Sequence, residues 1–330
     1  MIECIFTIDY EIMGNGTGSL ADLVYNPAQV LADTFQRHRL PFVAFIEAAE
    51  LEMIEGTGAD KAIDLVKRQV RAFYSRGMEI GLHLHPQWYQ AEFKNSRWKL
   101  DYNEYNLCLL PIEKIDLYLS RAISYLRYVL NNPSFNPVSF RAGNWLAQPS
   151  KNLSRSLVKH NIKIDSSVFK GGLIKYFNID YRPALNNGYF WKFRDDINKP
   201  EVSGPLLEIP IYTKMVPFWK LLKRAGAKSY TTYHNLDETF ISKFSRFSDF
   251  LRLKYPLKFD FCKLELKEMI SIIEQLLKYD KQTPSIFKPV VLSGHTKDKF
   301  SPEQLDSFII YLKNKNINIT TLDQAALKCL

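Results

Sequence analysis

Met78-Glu79-Ile80-Gly81-Leu82-His83-Leu84-His85-Pro86 is an apolar run that ends in two histidines and a proline. Read as a strand, it turns His83 and His85 to one face, because side chains alternate along extended backbone. Pro86 has no backbone N–H to donate and stops the strand there. Two imidazoles side by side at the end of a buried strand are half of a metal site. The other reading is a pair of hydrogen-bonded histidines at a loop entrance. Six histidines in the whole chain make the pairing informative.

Outward from this strand, strand-like and helix-like segments alternate. Residues 1–8 read as a first buried strand, and Asn26-Pro27 opens a helix to about His38. Residues 41–46 read as a short strand, and Asp60 caps a helix to about Arg76, stopped by Gly77. A long helix is expected over 111–130, a strand at 138–140, a helix over 150–160 and a strand at 162–165. The pattern loosens between Gly171 and Gly204. It resumes with a strand at 206–211, a helix over 263–278 and a strand at 288–292. A Ser301-Pro302 helix start, a strand at 317–319 and a terminal helix end the series. Seven or so β-α units in one chain predict parallel strands, as a barrel or as an open doubly wound sheet. Reactive residues at the ends of several strands favour the barrel. The loop Met13-Gly14-Asn15-Gly16-Thr17-Gly18 has neither the G-x-G-x-x-G order nor a P-loop lysine, and reads as a cover over the site.

The composition of the 330 residues, 46% hydrophobic and 24% charged, is that of a globular protein, neither disordered nor fibrous. No apolar run approaches the roughly 18 residues of a membrane span. Cys4, Cys108, Cys262 and Cys329 are scattered without a C-x-x-C pair, and no basic patch with a long apolar core opens the chain. Disulfides and a thiolate zinc site are not expected, and a reducing cytoplasm is the expected location. Net charge is +9, and residues 214–258 hold ten Lys/Arg against three Asp/Glu, with Phe218, Trp219, Tyr230 and Tyr233 among them. This basic, aromatic insertion reads as a solvated face over one end of the barrel, or as a peripheral contact with an anionic membrane or phosphate-bearing carrier. No nucleic-acid motif accompanies the charge, so nucleic acid is not an expected partner.

Several ionisable residues follow strands. Asp9 and Glu11, in Thr7-Ile8-Asp9-Tyr10-Glu11, can divide labour, one binding a divalent metal and the other abstracting a proton. They can also be loop acids and nothing more. Arg141 can hold a carboxylate bidentately and keep its pKa low, or make an ordinary salt bridge. His295, alone on the loop after residues 288–292, suits a general acid for a departing amine, or a supporting histidine.

In this order the residues resemble the polysaccharide deacetylase family, the chitooligosaccharide deacetylase-like carbohydrate esterases. Thr7-Ile8-Asp9-Tyr10-Glu11 is similar to the first motif of that family, and Glu79-Ile80-Gly81-Leu82-His83-Leu84-His85 to its histidine motif. Phe140-Arg141-Ala142-Gly143 resembles the arginine motif, Asp165-Ser166-Ser167-Val168 the aspartate motif, and Leu292-Ser293-Gly294-His295 the leucine-and-histidine motif. The resemblance spans roughly residues 1 to 300. It implies an α/β fold, a distorted (β/α)7 TIM-like barrel in a single domain with insertions. Two departures mark it: Tyr10 stands where the family has its second Asp, and the histidines are spaced His-x-His in place of His-x-x-x-His. Both resemble variant branches with an Asp-x-Glu first motif.

The resemblance implies a metal-dependent hydrolase that removes an acetyl group from an N-acetylated, less favourably O-acetylated, sugar or glycan precursor. Glu11, His83 and His85 would hold one divalent ion, zinc or alternatively cobalt, nickel or iron. Asp9, positioned by Arg141, would be the base, and His295, oriented by Asp165, the acid. Trp88, Trp98 and Trp145 are candidate sugar platforms, and Leu292 a substrate contact. Three other readings share these residues: a metal-independent amidase on a small non-sugar amide, a catalytically silent glycan-binding barrel, and a glycoside hydrolase using paired carboxylates. The sequence does not specify an oligomeric state.

Overall fold

A computed structural model describes residues 1–217 and 253–329. The centre is a nine-stranded sheet: β1 (Ile2–Tyr10), β2 (Val43–Glu47), β3 (Glu79–Leu84), β4 (Ser139–Ala142), β5 (Ile164–Asp165), β6 (Trp191–Phe193), β7 (Leu206–Glu208), β8 (Lys288–His295) and β9 (Asn318–Ile319). Their spatial order is β6-β7-β5-β4-β3-β2-β1-β8, with β9 also beside β1. All pairs are parallel except β6 with β7. The helices are α1 (Asn26–His38), α2 (Ala48–Thr57), α3 (Ile63–Ser75), α4 (Ile112–Leu130), α5 (Ser150–Lys159), α6 (Leu266–Gln282), α7 (Pro302–Asn314) and α8 (Leu322–Ala326).

The sheet curls until its two ends approach. Closure runs through single parallel bridges, Phe169 with Ile211 and Ile211 with Val291, together with a Tyr212 N–H donated to the Val291 carbonyl at 3.0 Å. The architecture is therefore a distorted α/β barrel. A regular seven-unit repeat does not describe it: the crossover from β5 to β7 contains no α-helix, only short hairpins and single helical turns. That is where Gly171–Gly204 lost its periodicity.

Parallel strands buried on both faces read as apolar runs, and β1 shows how the two faces differ. Phe6, Ile8 and Tyr10 face the helices. Phe6 meets Phe35 at 5.1 Å, Phe35 meets Phe42 at 5.3 Å, and Phe42 meets Phe73 at 5.3 Å, a continuous aromatic layer under α1 and α3. Truncating one such ring to alanine costs about 3–5 kcal/mol. Thr7, Asp9 and Glu11 take the other parity and face the barrel interior. Helix α2 is not foreshadowed in the sequence. It starts directly from β2, and its N-terminus is capped by the Glu47 side chain, which accepts from the N–H groups of Ala49 and Glu50. No Ser, Thr or Asp announces it.

The ends of the basic insertion, Thr213–Pro217 and Lys254–Lys258, pair as an antiparallel hairpin. Residues 218–252 of the basic insertion, including Phe218, Trp219, Tyr230 and Tyr233, lie outside the described residues, and with them most of the segment read as a solvated face or a membrane contact. Among those described, no helix is long and apolar enough to cross a membrane.

Candidate active site

The register of the sheet brings the strand ends together. Asp9 pairs with His295 across β1 and β8, His83 with Arg141 across β3 and β4, and Glu47 with His83 across β2 and β3. Parallel partners point the same way, so these side chains converge at the C-terminal mouth. Asp9, Glu11, His83, His85, Arg141, Asp165 and His295 are all buried there.

Glu11, His83 and His85 offer three ligand atoms within 4.8 Å of one another. Glu11 Oε2 lies 3.0 Å from His85 Nε2 and 3.6 Å from His83 Nε2. Both Nε2 atoms are buried without a well-aligned hydrogen bond. His83 Nδ1 lies 2.8 Å from the Arg141 carbonyl oxygen. A carbonyl only accepts, so Nδ1 carries a proton and Nε2 is the nitrogen turned to Glu11. His85 Nδ1 lies 3.2 Å from the carboxamides of Gln87 and Asn144. The Gln87 oxygen has no partner, so rotation of that amide gives His85 Nδ1–H an acceptor and frees Nε2. Gly143 makes room for the ring, since a Cβ there would stand 2.7 Å from His85 Cγ.

Charge supports a cation at this point. Burial pushes the Glu11 carboxyl up, but Lys297, whose Nζ donates to Oε1 at 2.8 Å, and the two imidazoles outweigh it and hold the carboxyl well below its usual range. Burial alone would lower His83; the Asp9 and Glu11 charges reverse that and bring it up to about 9. The same field that favours a proton on His83 favours a metal ion in its place. Two imidazoles and a carboxylate oxygen suit zinc or another borderline divalent ion with a fourth position open. These residues fit the group.

Asp9 faces the other side of the site. Arg141 donates to its Oδ1 at 2.7 Å and is itself held by the Ser166 carbonyl at 3.0 Å. Burial raises Asp9, and Arg141, His83 and His295 overcome this to keep the carboxyl below its usual range. His295 Nε2 lies 3.4 Å from Asp9 Oδ2, and its Nδ1 lies 3.1 Å from Asp298 Oδ2. Asp298 is in turn paired with Lys263 at 2.8 Å.

Three expectations are corrected. Asp298, not Asp165, stands against His295; Asp165 accepts from the Ser167 N–H at 2.8 Å and shares a hydrogen bond with Glu208, whose carboxyl is pushed well up by burial. Trp88 is buried, edge-on to Trp98 at 5.0 Å, and presents no face to a sugar. Leu292 pairs with Phe6 and shares its helix-facing parity, so it packs in the core away from the mouth. Trp145 does reach the site, its ring 5.8 Å from His295.

Sequence reasoning did not single out Lys297, Asp298, Glu47 or Glu50. Burial pushes Glu47 up to about 8 and Glu50 well above its usual range, beside the Glu11 charge. The signal was available in part: Glu47 ends a buried strand, as Asp9 and His83 nearly do, and Lys297 and Asp298 directly follow the His295 motif.

No family model and no curated protein matches the chain. Solved structures do. A Mycobacterium smegmatis protein assigned as a polysaccharide deacetylase is similar at TM-score 0.57 and 14% identity, over 99% of this chain and 89% of that one. A Pseudomonas aeruginosa PAO1 protein with the same assignment gives 0.53 and 13%, over 98% and 89%. A Puue allantoinase gives 0.51 and 13%, over 98% and 89%. At such identities the likeness is one of fold: the chain shares the fold of these proteins.

Proposed function

We propose that this chain is a divalent-metal-dependent hydrolase that removes the acetyl group from an N-acetylated sugar, with an O-acetyl ester as the less favoured substrate. One observation carries the reading. Two buried imidazole nitrogens converge on one carboxylate oxygen, beside an aspartate held ionised by a buried arginine. The assignment carried by two of the fold relatives names an acetylated glycan as the substrate class.

Glu11, His83 and His85 would hold the ion, zinc being the one this donor set suits, with cobalt, nickel or iron taking the same atoms. When bound, the ion would polarise the acetyl carbonyl and lower the pKa of a nearby water molecule. Asp9, ionised and oriented by Arg141, takes the proton of that water as its oxygen bonds to the carbonyl carbon. His295, with Asp298 facing its Nδ1, gives a proton to the nitrogen as the C–N bond breaks. Acetate and a free amine leave. Its place at the mouth lets the Trp145 ring border the sugar.

A second reading, a metal-independent amidase, is favoured by Lys297, whose ammonium already neutralises Glu11 at 2.8 Å. Acetate release from N-acetylated chitooligosaccharides separates the two. We expect activity with added zinc or cobalt, loss with chelator, and a fall of about 10²–10⁴-fold in Asp9→Asn and in His295→Ala. Hydrolysis that survives the chelator would decide for the second reading, and wild-type rates in both variants would overturn the assigned roles.

A further inference from the structure

Lys258 is a residue at this mouth that the proposed chemistry leaves unused. Alternation explains its direction: Asp260 bridges Ser293, on the face that also carries His295, and Lys258 stands two residues before Asp260. Its ammonium lies 3.0 Å from the centroid of the Trp145 ring and 5.1 Å from that of Phe169. The Trp145 ring stands edge-on to His295 at 84°. Trp145 and Asn144 before it hold positive φ angles of 57° and 54°, and the Tyr181 hydroxyl donates to the Trp145 carbonyl at 2.7 Å. A bulky residue in the left-handed region costs about 1–3 kcal/mol; here it carries the ring between His295 and Lys258.

The half-buried Lys258 ammonium has aromatic faces as its contacts and no carboxylate partner among the described residues. Its neighbours differ: Lys263 holds Asp298 at 2.8 Å and Lys297 holds Glu11 at 2.8 Å. The acids nearest Lys258 are already answered. Asp9 is bound by Arg141, Asp298 by Lys263, and the Asp260 carboxyl is pushed up by burial. Burial and the Lys263 charge press Lys258 itself down to about 7. An ammonium so placed gains strongly from a counter-anion, because the charge-assisted bond forms in a partly desolvated site.

We propose that Lys258 is an anion receptor beside the reacting position, and that the acetylated sugar taken by this site carries an anionic substituent, a phosphate or a carboxylate. The inference rests on the deacetylase reading for the sugar and on Lys258 for the anion. A lysine is a point charge without the planar fork of arginine, so both anions suit it.

The test is calorimetric titration of the full chain with N-acetylglucosamine, N-acetylglucosamine 1-phosphate and N-acetylmuramic acid, in the wild type and in Lys258→Met and Lys258→Arg. The wild type is expected to bind at least one anionic sugar about tenfold or more tighter than the neutral one. That ratio falls to about one in Lys258→Met and returns in Lys258→Arg, with melting temperatures confirming that both variants fold. Preference for the sugar phosphate, competed by inorganic phosphate, assigns the anion as phosphate; preference for N-acetylmuramic acid assigns it as carboxylate. Equal affinities in the wild type, binding of none of the three, or an unchanged ratio in Lys258→Met overturns the proposal. Acetate release from the same sugars separates the two ideas: release without any anion preference removes the receptor alone, and preference without release removes the deacetylase reading alone.

Discussion

The carbonyl oxygen of Arg141 accepts the Nδ1 proton of His83 at 2.8 Å, in the register pair that joins β3 to β4. The guanidinium of the same Arg141 binds Asp9 at 2.7 Å. One residue thus orients an imidazole of the proposed metal site through its main chain and holds the proposed base ionised through its side chain. Arg141→Met keeps the carbonyl and removes the charge. It takes from the buried Asp9 carboxylate its largest counter-charge, and breaking a buried pair from one side costs about 3–5 kcal/mol. Chemical denaturation at pH 7 measures this. The pH sign follows from the depressed Asp9 carboxyl. In the wild type its stabilisation is complete above the unfolded pKa of about 3.9 and is lost as the pH falls through the lower folded value. In Arg141→Met the Asp9 carboxyl moves up, so lowering the pH from 7 towards 4 relieves part of the penalty.

Gly143 is the residue that lets the His85 ring sit where it does. A Cβ there would meet ring atoms at 2.7 and 2.8 Å and the Leu84 carbonyl oxygen at 2.8 Å. Gly143→Ala is expected to tilt the ring away from Glu11 and weaken zinc binding at least tenfold, with the protein still folded. Zinc titration against a fluorescent chelator reads the affinity. His83→Ala/His85→Ala should abolish the binding, as elemental mass spectrometry of the purified protein would show.

Asp298 stands behind His295, its Oδ2 3.1 Å from Nδ1, in the position expected of Asp165. A partner that orients a metal-ligating imidazole is worth about 10–100-fold, and a comparable factor is expected for this acid. Asp298→Asn is expected to lower kcat by that factor with KM nearly unchanged, since the imidazole is lost as an oriented acid while the sugar contacts remain. Asp165→Asn should leave the pH profile of kcat in place. A shifted profile in the Asp165 variant alone would return the orienting role to that residue.

Glu47 and Glu50 set a pH dependence of opposite sign to that of Asp9. Burial holds the Glu47 carboxyl up to about 8, so the folded metal-free protein keeps a proton that the unfolded chain releases near 4.5. Stability therefore falls as the pH rises from about 4.5 to 8, at up to about 1.4 kcal/mol per pH unit for one full proton, and levels off above. Glu47→Gln should flatten part of that slope in urea melts of the chelated protein. An identical slope in the variant would assign the proton elsewhere.

Much of this site was legible because one local rule governs it. A buried parallel strand is apolar until it leaves the sheet, so an ionisable residue directly after the apolar run marks the mouth, and period-two alternation tells which neighbours share its face. Asp9 with Glu11, His83 with His85, Arg141 and His295 follow from that rule without any contact map. The Ser301-Pro302 helix start was legible for a similar reason, since a cap is written within four residues; the Ser301 hydroxyl does accept from the Gln304 N–H at 3.2 Å. Helix α2 was not, because its cap is a glutamate that also ends a strand.

The sequence by itself determined which residues stand at strand ends and which way each faces, because backbone alternation is a property of the chain over a few residues. The tertiary structure alone decided who meets whom. It put Asp298 rather than Asp165 on His295, buried Trp88 and Leu292, and set Lys297 on Glu11 and Lys258 over Trp145. Those pairings depend on the register between strands as far apart as Ile2–Tyr10 and Lys288–His295, and on the curl that closes the sheet through Ile211. Burial then fixed the charges, since removing water raises the cost of every unpaired carboxylate and leaves each ionised one dependent on the particular cation that the fold brings beside it.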